Sequence, residues 1–388
     1  MSGKLEAALA RCRELTEDMS YASVRSHKEK TGDGAIGYFP VYSPLELYHA
    51  AGYLPVAVHG GGNQIEITAA DSRFGSFICS IVKSTMELGM KGHLDVLDGV
   101  VFHDICDSAR NLAWLFERNF KDKLFMEYFH LPQKPDGAAA AAFLGGEYER
   151  IYTKLAALRG RKPDLDAIRK SIGLYNINRG LHRRLYKLRS ERPQDVLTAE
   201  LSLLTRAGGI LPVEEHNKML ADCLADFEAR SNKPRDGIRV LVEGSFCEQP
   251  PIELLELLDA VGCFAVDDDL LIGRRWFDQD VPVKGNPFSA LAEAYMKSPV
   301  PSSVRHNPGV PRTEAMVQRV RSNKAQAVLF IYAKFCEPGL FDYVLFKDVL
   351  EREGIPHLLI EFEEKMWTFD KARMELETFV ESQLFAYD

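Results

Sequence analysis

The sequence predicts an α/β protein with two parallel-sheet domains joined by a helical segment. In the first and last parts of the 388-residue chain, short apolar runs alternate with amphipathic helical stretches. Between them lies a stretch with helical periodicity and no convincing strand pattern. A chain of this length also exceeds what one hydrophobic core usually organises. Alternating strands and helices favour parallel sheets with helices on both faces.

The first predicted domain covers residues 1–145 and opens with an amphipathic helix. A β-α-β unit follows, made of the strand AIGYFPVY, the helix SPLELYHAAG and the strand LPVAVHG. Gly52 ends this helix, as expected of a C-cap. Next we expect a helix over 79–90, a strand over 99–103, a helix over 107–117 and the strand KLFMEYF.

The middle segment, residues 146–232, is predicted to be helical, because its apolar residues recur at helical spacing. The second domain covers residues 233–388. Its predicted strands are IRVLVEGS, CFAVDD, AQAVLFIY and HLLIEFE, each followed by a helical stretch. This order predicts two Rossmann-like domains, with a ligand crevice between them at the carboxyl ends of the strands.

Charge and hydropathy exclude several classes of partner. The formal net charge is -8, which argues against nucleic acid as the main partner, because phosphate backbones bind basic surfaces. No apolar run approaches the roughly 18 residues that a membrane span needs. The first residues lack the apolar core and cleavage site of a signal peptide. We therefore expect a cytoplasmic protein.

Three of the seven cysteines, Cys79, Cys106 and Cys336, each stand where an apolar or loop segment gives way to a helix. Carboxyl ends of parallel strands face the crevice, so these distant thiols can converge there. A helix N-terminus favours thiolate, the form that binds metal. The arrangement therefore predicts an iron–sulfur or zinc site.

Spacing favours a cluster over zinc. His103 close to Cys106 would allow a Cys₃His zinc site, but structural zinc sites usually use paired cysteine knuckles in small domains. Three thiolates on four irons would leave one iron open for chemistry. Cys247 also follows a strand and is a weak fourth ligand. Cys12 and Cys223 are expected in helix cores.

Several ordered motifs resemble the 2-hydroxyacyl-CoA dehydratase and benzoyl-CoA reductase family, and the match spans nearly the whole chain. They are GYFPVYSPLELYHAAGYLPVAV, FICSIVKSTMELG, VVFHDICDSARN, VLVEGSFCEQPPIELLELLDAVGCFAVDDDL and VLFIYAKFCEPGLFDYVLFKDVL. Chain length and the segments GGGNQIEI and ADSRFGSFICS look most like the C (gamma) subunits of ATP-dependent benzoyl-CoA reductases.

The resemblance implies that Cys79, Cys106 and Cys336 hold a [4Fe-4S] cluster in the cleft between the two domains. It implies a homologous cluster-bearing subunit and an ATP-hydrolysing pair of activating subunits supplied with electrons by reduced ferredoxin. Consistently, the chain lacks the phosphate-loop motif G-x-x-x-x-G-K-[ST]. The implied reaction is the reductive dearomatisation of benzoyl-CoA, or a related acyl-CoA, to cyclohexadiene-1-carbonyl-CoA by single-electron steps.

Further candidates lie near the predicted crevice. Glu46 matches a position where family members carry a carboxylate near the cluster, so one role for it is proton handling. The alternative is structural, because a negative charge in the first turn of a helix interacts favourably with the helix dipole. His103 could donate a proton or bond a cluster sulfide. Ser43 is expected to cap the helix after Pro44. Gly60–Gly62 predict a turn that could approach a phosphate or pantetheine chain, and Asp267–Asp269 predict a strand-end turn rather than a metal site.

Two other functions stay open. A 2-hydroxyacyl-CoA dehydratase subunit would use the same fold and activator but eliminate water and return the electron. A non-catalytic subunit would only relay electrons or scaffold its partner, and spectroscopy would then show every iron fully ligated by protein. We expect the reductase.

Overall fold

The structure is a computed structural model that describes residues 3–39, 41–244, 249–270, 273–305, 311–363, 366 and 368–385. The first part contains α1 (Gly3–Glu17), α2 (Ala22–Thr31), β1 (Gly34–Tyr38), α3 (Leu45–Ala50), β2 (Tyr53–Ala57), α4 (Ser80–Met90), β3 (Gly99–His103), α5 (Asp107–Phe120) and β4 (Phe125–Phe129). Four helices follow, namely α6 (Gly137–Leu158), α7 (Leu165–Glu191), α8 (Thr198–Ala207) and α9 (Val213–Ala229).

The last part returns to alternating strands and helices. It contains β5 (Ile238–Gly244), α10 (Ile252–Ala260), β6 (Cys263–Asp269), α11 (Arg274–Phe277), α12 (Pro287–Met296), α13 (Arg312–Ser322), β7 (Ala327–Ala333), α14 (Glu337–Arg352), β8 (His357–Phe362) and α15 (Asp370–Phe385).

The eight strands form two four-stranded sheets, and all their pairings are parallel. The first sheet has the order β2-β1-β3-β4 and the second has the order β6-β5-β7-β8. The two sheets therefore repeat one topology, in which β3 and β7 occupy equivalent places. Every residue of β1, β2, β3 and β7 is buried, as expected for strands covered on both faces. These sheets confirm the predicted α/β fold.

The helical segment connects the two sheets through α7. This helix has 27 residues and is therefore about 40 Å long. It packs against α3 beside the first sheet and against β6 of the second. The helix α6 begins at Gly137, ahead of the predicted start of the helical segment at residue 146, and the domain boundaries stay a prediction.

Three local features differ from the sequence predictions. The polar helix α2 was not anticipated, because only Val24 among its ten residues is buried and the apolar period is absent. The prediction of a turn at Asp267–Asp269 is wrong, since these residues complete β6. Finally, Ser43 does not cap α3. Pro44 occupies the N-cap position, and among the described residues no side chain caps the helix.

Buried arginines explain how three consecutive aspartates remain within a strand. Asp267 binds Arg274 at 2.6 Å and Arg319 at 2.9 Å, and Asp269 binds Arg275 at 2.9 Å. Asp268 points to the opposite face of the strand and binds Arg189 of α7 at 2.6 Å. Both side chains of this last pair are at most 3% exposed. The pair fastens the carboxyl-terminal half of α7 to the second sheet.

None of the helices in the described ranges, α7 included, combines the length and apolar character that a bilayer crossing requires.

Asp268→Asn should destabilise the protein by about 3–5 kcal/mol, because it leaves the Arg189 guanidinium buried without its counter-charge. The measurement is urea denaturation followed by circular dichroism. The matched control is Glu228→Gln, which removes the partner of Arg184 in an ion pair whose side chains are more than half exposed, and it should cost about 1 kcal/mol or less. Equal losses in the two variants would contradict a structural role for the buried pair.

Candidate metal centre

Cys106 and Cys336 occupy equivalent positions in the two domains. Cys106 is the third residue after β3 and the N-cap of α5. Cys336 is the third residue after β7 and the N-cap of α14. Because β3 and β7 hold the same place in their sheets, the repeated topology presents one thiol at the carboxyl end of each sheet.

Cys79 reaches the same region by a longer path. It follows β2 after a loop that contains short 3₁₀ turns at Gly62–Gln64 and Ala70–Arg73, and it is the N-cap of α4. Phe77 and Phe335 contact each other edge to face, with their ring centroids 5.8 Å apart. This contact joins the loop that carries Cys79 to the loop that carries Cys336.

Some features around Cys106 disfavour its thiolate form, and others favour it. Burial raises the pKa of its thiol to about 11, and the nearby Cys336 adds to the rise. The backbone N–H groups of Ala109 and Ser108, in the first turn of α5, lower the same pKa. Cys106 and Cys336 are therefore within electrostatic range of each other. A buried thiol of this kind needs a positive centre, such as a metal, to become a stable thiolate.

The other described cysteines lie away from this region and form no disulfides. The Cys12 sulfur lies 3.4 Å from that of Met219, where α1 packs on α9, and Cys223 of α9 is also buried. Cys263 opens β6 at its amino end. Burial raises the pKa of each of these three thiols to about 12. Cys247 lies outside the described residues, so its prediction as a weak fourth ligand has no structural counterpart.

The donors in this region are thiols. Within the described ranges, no three Cys, His, Asp or Glu side chains converge closely enough to hold one metal ion. Three buried or half-buried thiols at helix N-termini have the chemistry that an iron–sulfur cluster requires.

Glu46 lies in the first turn of α3 and is 1% exposed. Its carboxylate forms a buried ion pair with Arg179 of α7. Arg179 also donates to the Asn176 side chain at 2.8 Å and lies over the Trp276 ring, with its guanidinium carbon 5.1 Å from the ring centroid. Glu46 therefore fastens the first domain to α7, and it lines a cavity between them.

His103 is the last residue of β3 and is 1% exposed. Its Nδ1 atom lies 3.2 Å from the Asp104 carbonyl oxygen, and its ring packs against Phe129 with centroids 5.0 Å apart. Burial lowers the pKa of His103 to about 4, so the imidazole is neutral near pH 7. Asp104 instead accepts from Tyr128 at 2.6 Å and contacts His130 at 2.9 Å.

The turn at Gly60–Gly62 lines a cleft beside the start of α10. Gly60 has φ of +74°, and a Cβ atom there would stand 2.2 Å from Ser84 Oγ, so close packing on α4 requires a glycine. Arg206, which is 8% exposed, lines the same cleft and donates to the Pro250 carbonyl at 2.7 Å. The structure thus gives the turn a polar surrounding, while its role in ligand binding stays a prediction.

The structure contains a further cavity that the sequence did not predict. It lies where the loop after β1 meets α7, α9 and α11, and its volume is about 70 Å³. Aromatic residues from three separated segments form its walls, among them Tyr42, Tyr175 and Trp276. His182 and His216 also contribute, one from α7 and one from α9. No single sequence motif contains these residues, so only the fold reveals them.

Large apolar side chains are exposed on the elements that carry the cysteines. Phe77 is 74% exposed beside Cys79, and Phe341 of α14 is 72% exposed. Trp114 of α5 is 58% exposed. Val344 and Leu345 extend the exposed apolar face of α14. Phe341, Val344 and Leu345 lie on one face of α14 by their spacing, and contiguous apolar patches are typical of protein–protein contact sites.

Comparison with known proteins places the chain in a family. The family model described as 2-hydroxyglutaryl-CoA dehydratase, D-component, matches residues 40–382. The C subunit of benzoyl-CoA reductase from Thauera aromatica is 36% identical over 96% of this chain and 97% of its own length. The beta subunit of lactoyl-CoA dehydratase from Anaerotignum propionicum is 30% identical over 97% of this chain and 99% of its own.

A third relative is the beta subunit of (R)-2-hydroxyglutaryl-CoA dehydratase from Acidaminococcus fermentans, 28% identical over 90% of this chain and 93% of its own length. All three relatives are subunits of enzymes that act on acyl-CoA thioesters, by their names. The family match and the near-complete coverage agree with the resemblance that the motifs indicated. The chain therefore belongs to the 2-hydroxyglutaryl-CoA dehydratase D-component family.

Proposed function

We propose that this chain is the C-type subunit of an ATP-dependent benzoyl-CoA reductase, in which Cys79, Cys106 and Cys336 hold a [4Fe-4S] cluster. The observation that carries the proposal is the equivalence of Cys106 and Cys336. Each is the N-cap three residues beyond the corresponding strand of two identically ordered sheets. The 36% identity to the C subunit of a benzoyl-CoA reductase supports the choice of reaction.

The residues around the thiols would prepare them as ligands. The first-turn N–H groups of α5 favour negative charge on Cys106, and hydrogen bonds to cluster sulfur tune the reduction potential. Phe77 and Phe335 join two of the ligand loops by an edge-to-face contact, and they would limit access of water once a partner subunit covers the exposed Phe77. When bound, the cluster would supply single electrons to the acyl thioester, whose carbonyl lowers the energy of the added electron.

Proton handling is proposed for Glu46 and His103. Glu46 would act as a fixed carboxylate, since Arg179 holds its orientation. His103 would act as a neutral imidazole, since burial lowers its pKa to about 4. The Nδ1 proton of His103 faces the Asp104 carbonyl oxygen, so Nε2 is the nitrogen left to accept a hydrogen bond or a proton. In the reductase, Nε2 would take up a proton from a neighbouring donor and pass that proton to the reduced ring, which returns the imidazole to its neutral form.

The partners proposed are a homologous cluster-bearing subunit and an activating pair that hydrolyses ATP and accepts electrons from reduced ferredoxin. The curated relatives are designated subunits, which supports an assembly. Phe77, Trp114 and Phe341 lie near the three thiols along the chain and are largely exposed. Covering them with another subunit would exclude water from the cluster and shorten the path for electrons.

A 2-hydroxyacyl-CoA dehydratase subunit is the second candidate, favoured by the relatives at 30% and 28% identity. The same three thiols and activator would serve it. The two reactions differ in the fate of the electron, because a dehydratase returns it after water leaves and a reductase retains it in the product.

Replacing Cys79, Cys106 or Cys336 individually by Ser should remove most of the iron, because a cluster with two remaining thiolates is poorly held. The measurement is iron and sulfide per chain after anaerobic purification. Cys12→Ser and Cys223→Ser are matched controls, since both cysteines are buried in helix packing, and they should leave iron unchanged. Loss of iron in a control with retention in a ligand variant would contradict the assignment.

Electron counting separates the two reactions. The complex with its partner and activator should consume reductant in proportion to benzoyl-CoA converted. Catalytic amounts of reductant would suffice for a dehydratase. Product analysis by mass spectrometry provides the check, since two added hydrogens indicate the reductase and loss of water from a 2-hydroxyacyl-CoA indicates the dehydratase. Full conversion of a hydroxyacyl-CoA with no net reductant use would replace our proposal by the second candidate.

A further inference from the structure

Several aromatic and imidazole rings line the cavity beside the loop after β1. Tyr38 and Tyr42 contribute from the first domain, Tyr175 and His182 from α7, and Trp276 from α11. Its volume of about 70 Å³ is several times the roughly 10–15 Å³ that a single water molecule needs, so it can hold a small organic group. The first sheet, the helical segment and the second domain all contribute to this cavity. Apolar pockets that carry a few oriented polar groups are the usual form of a ligand site.

A chain of hydrogen bonds fixes the protons in one wall of the cavity. His216 Nε2 lies 2.9 Å from the Leu204 carbonyl oxygen, and His216 Nδ1 lies 3.0 Å from Asn178 Nδ2. A carbonyl oxygen can only accept, so the His216 proton is on Nε2. The Asn178 amide then donates to His216 Nδ1, and its second hydrogen goes to the Asn217 side chain at 2.8 Å.

The same reasoning determines the tautomer of His182. Its Nδ1 atom lies 3.0 Å from the Asn178 carbonyl oxygen, which can only accept, so Nδ1 carries the proton. Burial, together with His216, lowers the pKa of His182 to about 3, which keeps the ring neutral. Nε2 is therefore a bare acceptor. This Nε2 atom has no hydrogen-bond partner among the described residues, and His182 is only 1% exposed.

Packing holds this acceptor in place. The His182 ring stacks on Phe277 with an interplanar angle of 11° and a centroid separation of 5.4 Å. The His216 ring lies against it, 5.5 Å away. A buried hydrogen-bond acceptor without a partner destabilises the folded protein. A ligand that entered the cavity and donated a hydrogen bond to His182 Nε2 would remove this cost.

The charges around the cavity favour an uncharged ligand. Arg275 lines it, but its guanidinium is paired with the Asp269 carboxylate at 2.9 Å, and both side chains are 3% exposed. In the neighbouring cavity, Arg179 is paired with Glu46. Both buried arginines are thus neutralised within the protein. A charged ligand would lose its hydration without gaining a free counter-charge.

We propose that this cavity is a binding site for an uncharged, ring-sized ligand whose O–H or N–H group donates a hydrogen bond to His182 Nε2. The ligand's ring would pack among Tyr42, Tyr175 and Trp276, since aromatic walls favour planar apolar groups. None of Cys79, Cys106 and Cys336 lines this cavity. Its ligand has two candidate sources, the acyl end of an acyl-CoA or a separate small molecule.

Three probes test the proposal on the full-length chain. Benzamide is uncharged and carries an N–H donor, methyl benzoate has the same ring without a donor, and benzoate is an anion. Benzamide should bind most tightly of the three, as measured by fluorescence titration and by saturation-transfer NMR. Trp276 lies in the wall, so Trp276→Phe should abolish the fluorescence change.

His182→Phe keeps a ring that can stack on Phe277 and removes the acceptor. It should raise the Kd of benzamide by about tenfold and leave that of methyl benzoate within about twofold. His357→Phe is the matched control, because that histidine also contacts aromatic rings but does not line the cavity. Thermal melting of each variant establishes that it is folded.

Failure of benzamide to bind would overturn the proposal, as would equal affinity of the parent and His182→Phe for benzamide. Excess benzoyl-CoA then distinguishes the source of the ligand. Displacement of benzamide identifies the acyl group, and simultaneous binding identifies a separate small molecule. Iron content is measured separately from benzamide affinity. A negative result for benzamide therefore does not contradict the proposed function, and a negative result for iron does not contradict the proposed binding site.

Discussion

The junction between a parallel strand and the following helix is the constraint on which the candidate centre depends. A parallel sheet directs all its carboxyl ends to one edge, and the helix that follows places backbone N–H groups at that edge. Cys106 and Cys336 use this junction at equivalent strands of two identically ordered sheets. Cys79 uses the start of α4, after a longer loop. One local geometry, used three times, gives three thiols with related surroundings.

The helix α7 links the two sheets that carry these junctions. Its Arg179 binds Glu46 beside the first sheet, and its Arg189 binds Asp268 in the second. The same helix carries His182 into the wall of the aromatic cavity. Buried ion pairs gain little net stability when both partners are present, but losing either partner is costly. The pairs therefore act mainly to specify how the two sheets meet across α7.

The sequence predicted features that depend on local pattern. Apolar runs indicated the strands, and the position of each cysteine at a strand-to-helix boundary indicated the candidate ligands. The features that depended on distant partners escaped prediction. Asp267–Asp269 were expected in a turn, but arginines from α7, α11 and α13 neutralise them within β6. Likewise, His182 is conspicuous only because Asn178, Leu204 and His216 leave one of its nitrogen atoms without a partner among the described residues.

Anomalous diffraction from anaerobically grown crystals of the chain with its partner subunit tests the central claim most directly. Data collected above and below the iron absorption edge locate iron without assumptions about the reaction. We expect one compact iron peak bonded by the sulfur atoms of Cys79, Cys106 and Cys336. An iron peak elsewhere in the chain, or a single zinc ion bound by these thiols, would contradict the proposed centre.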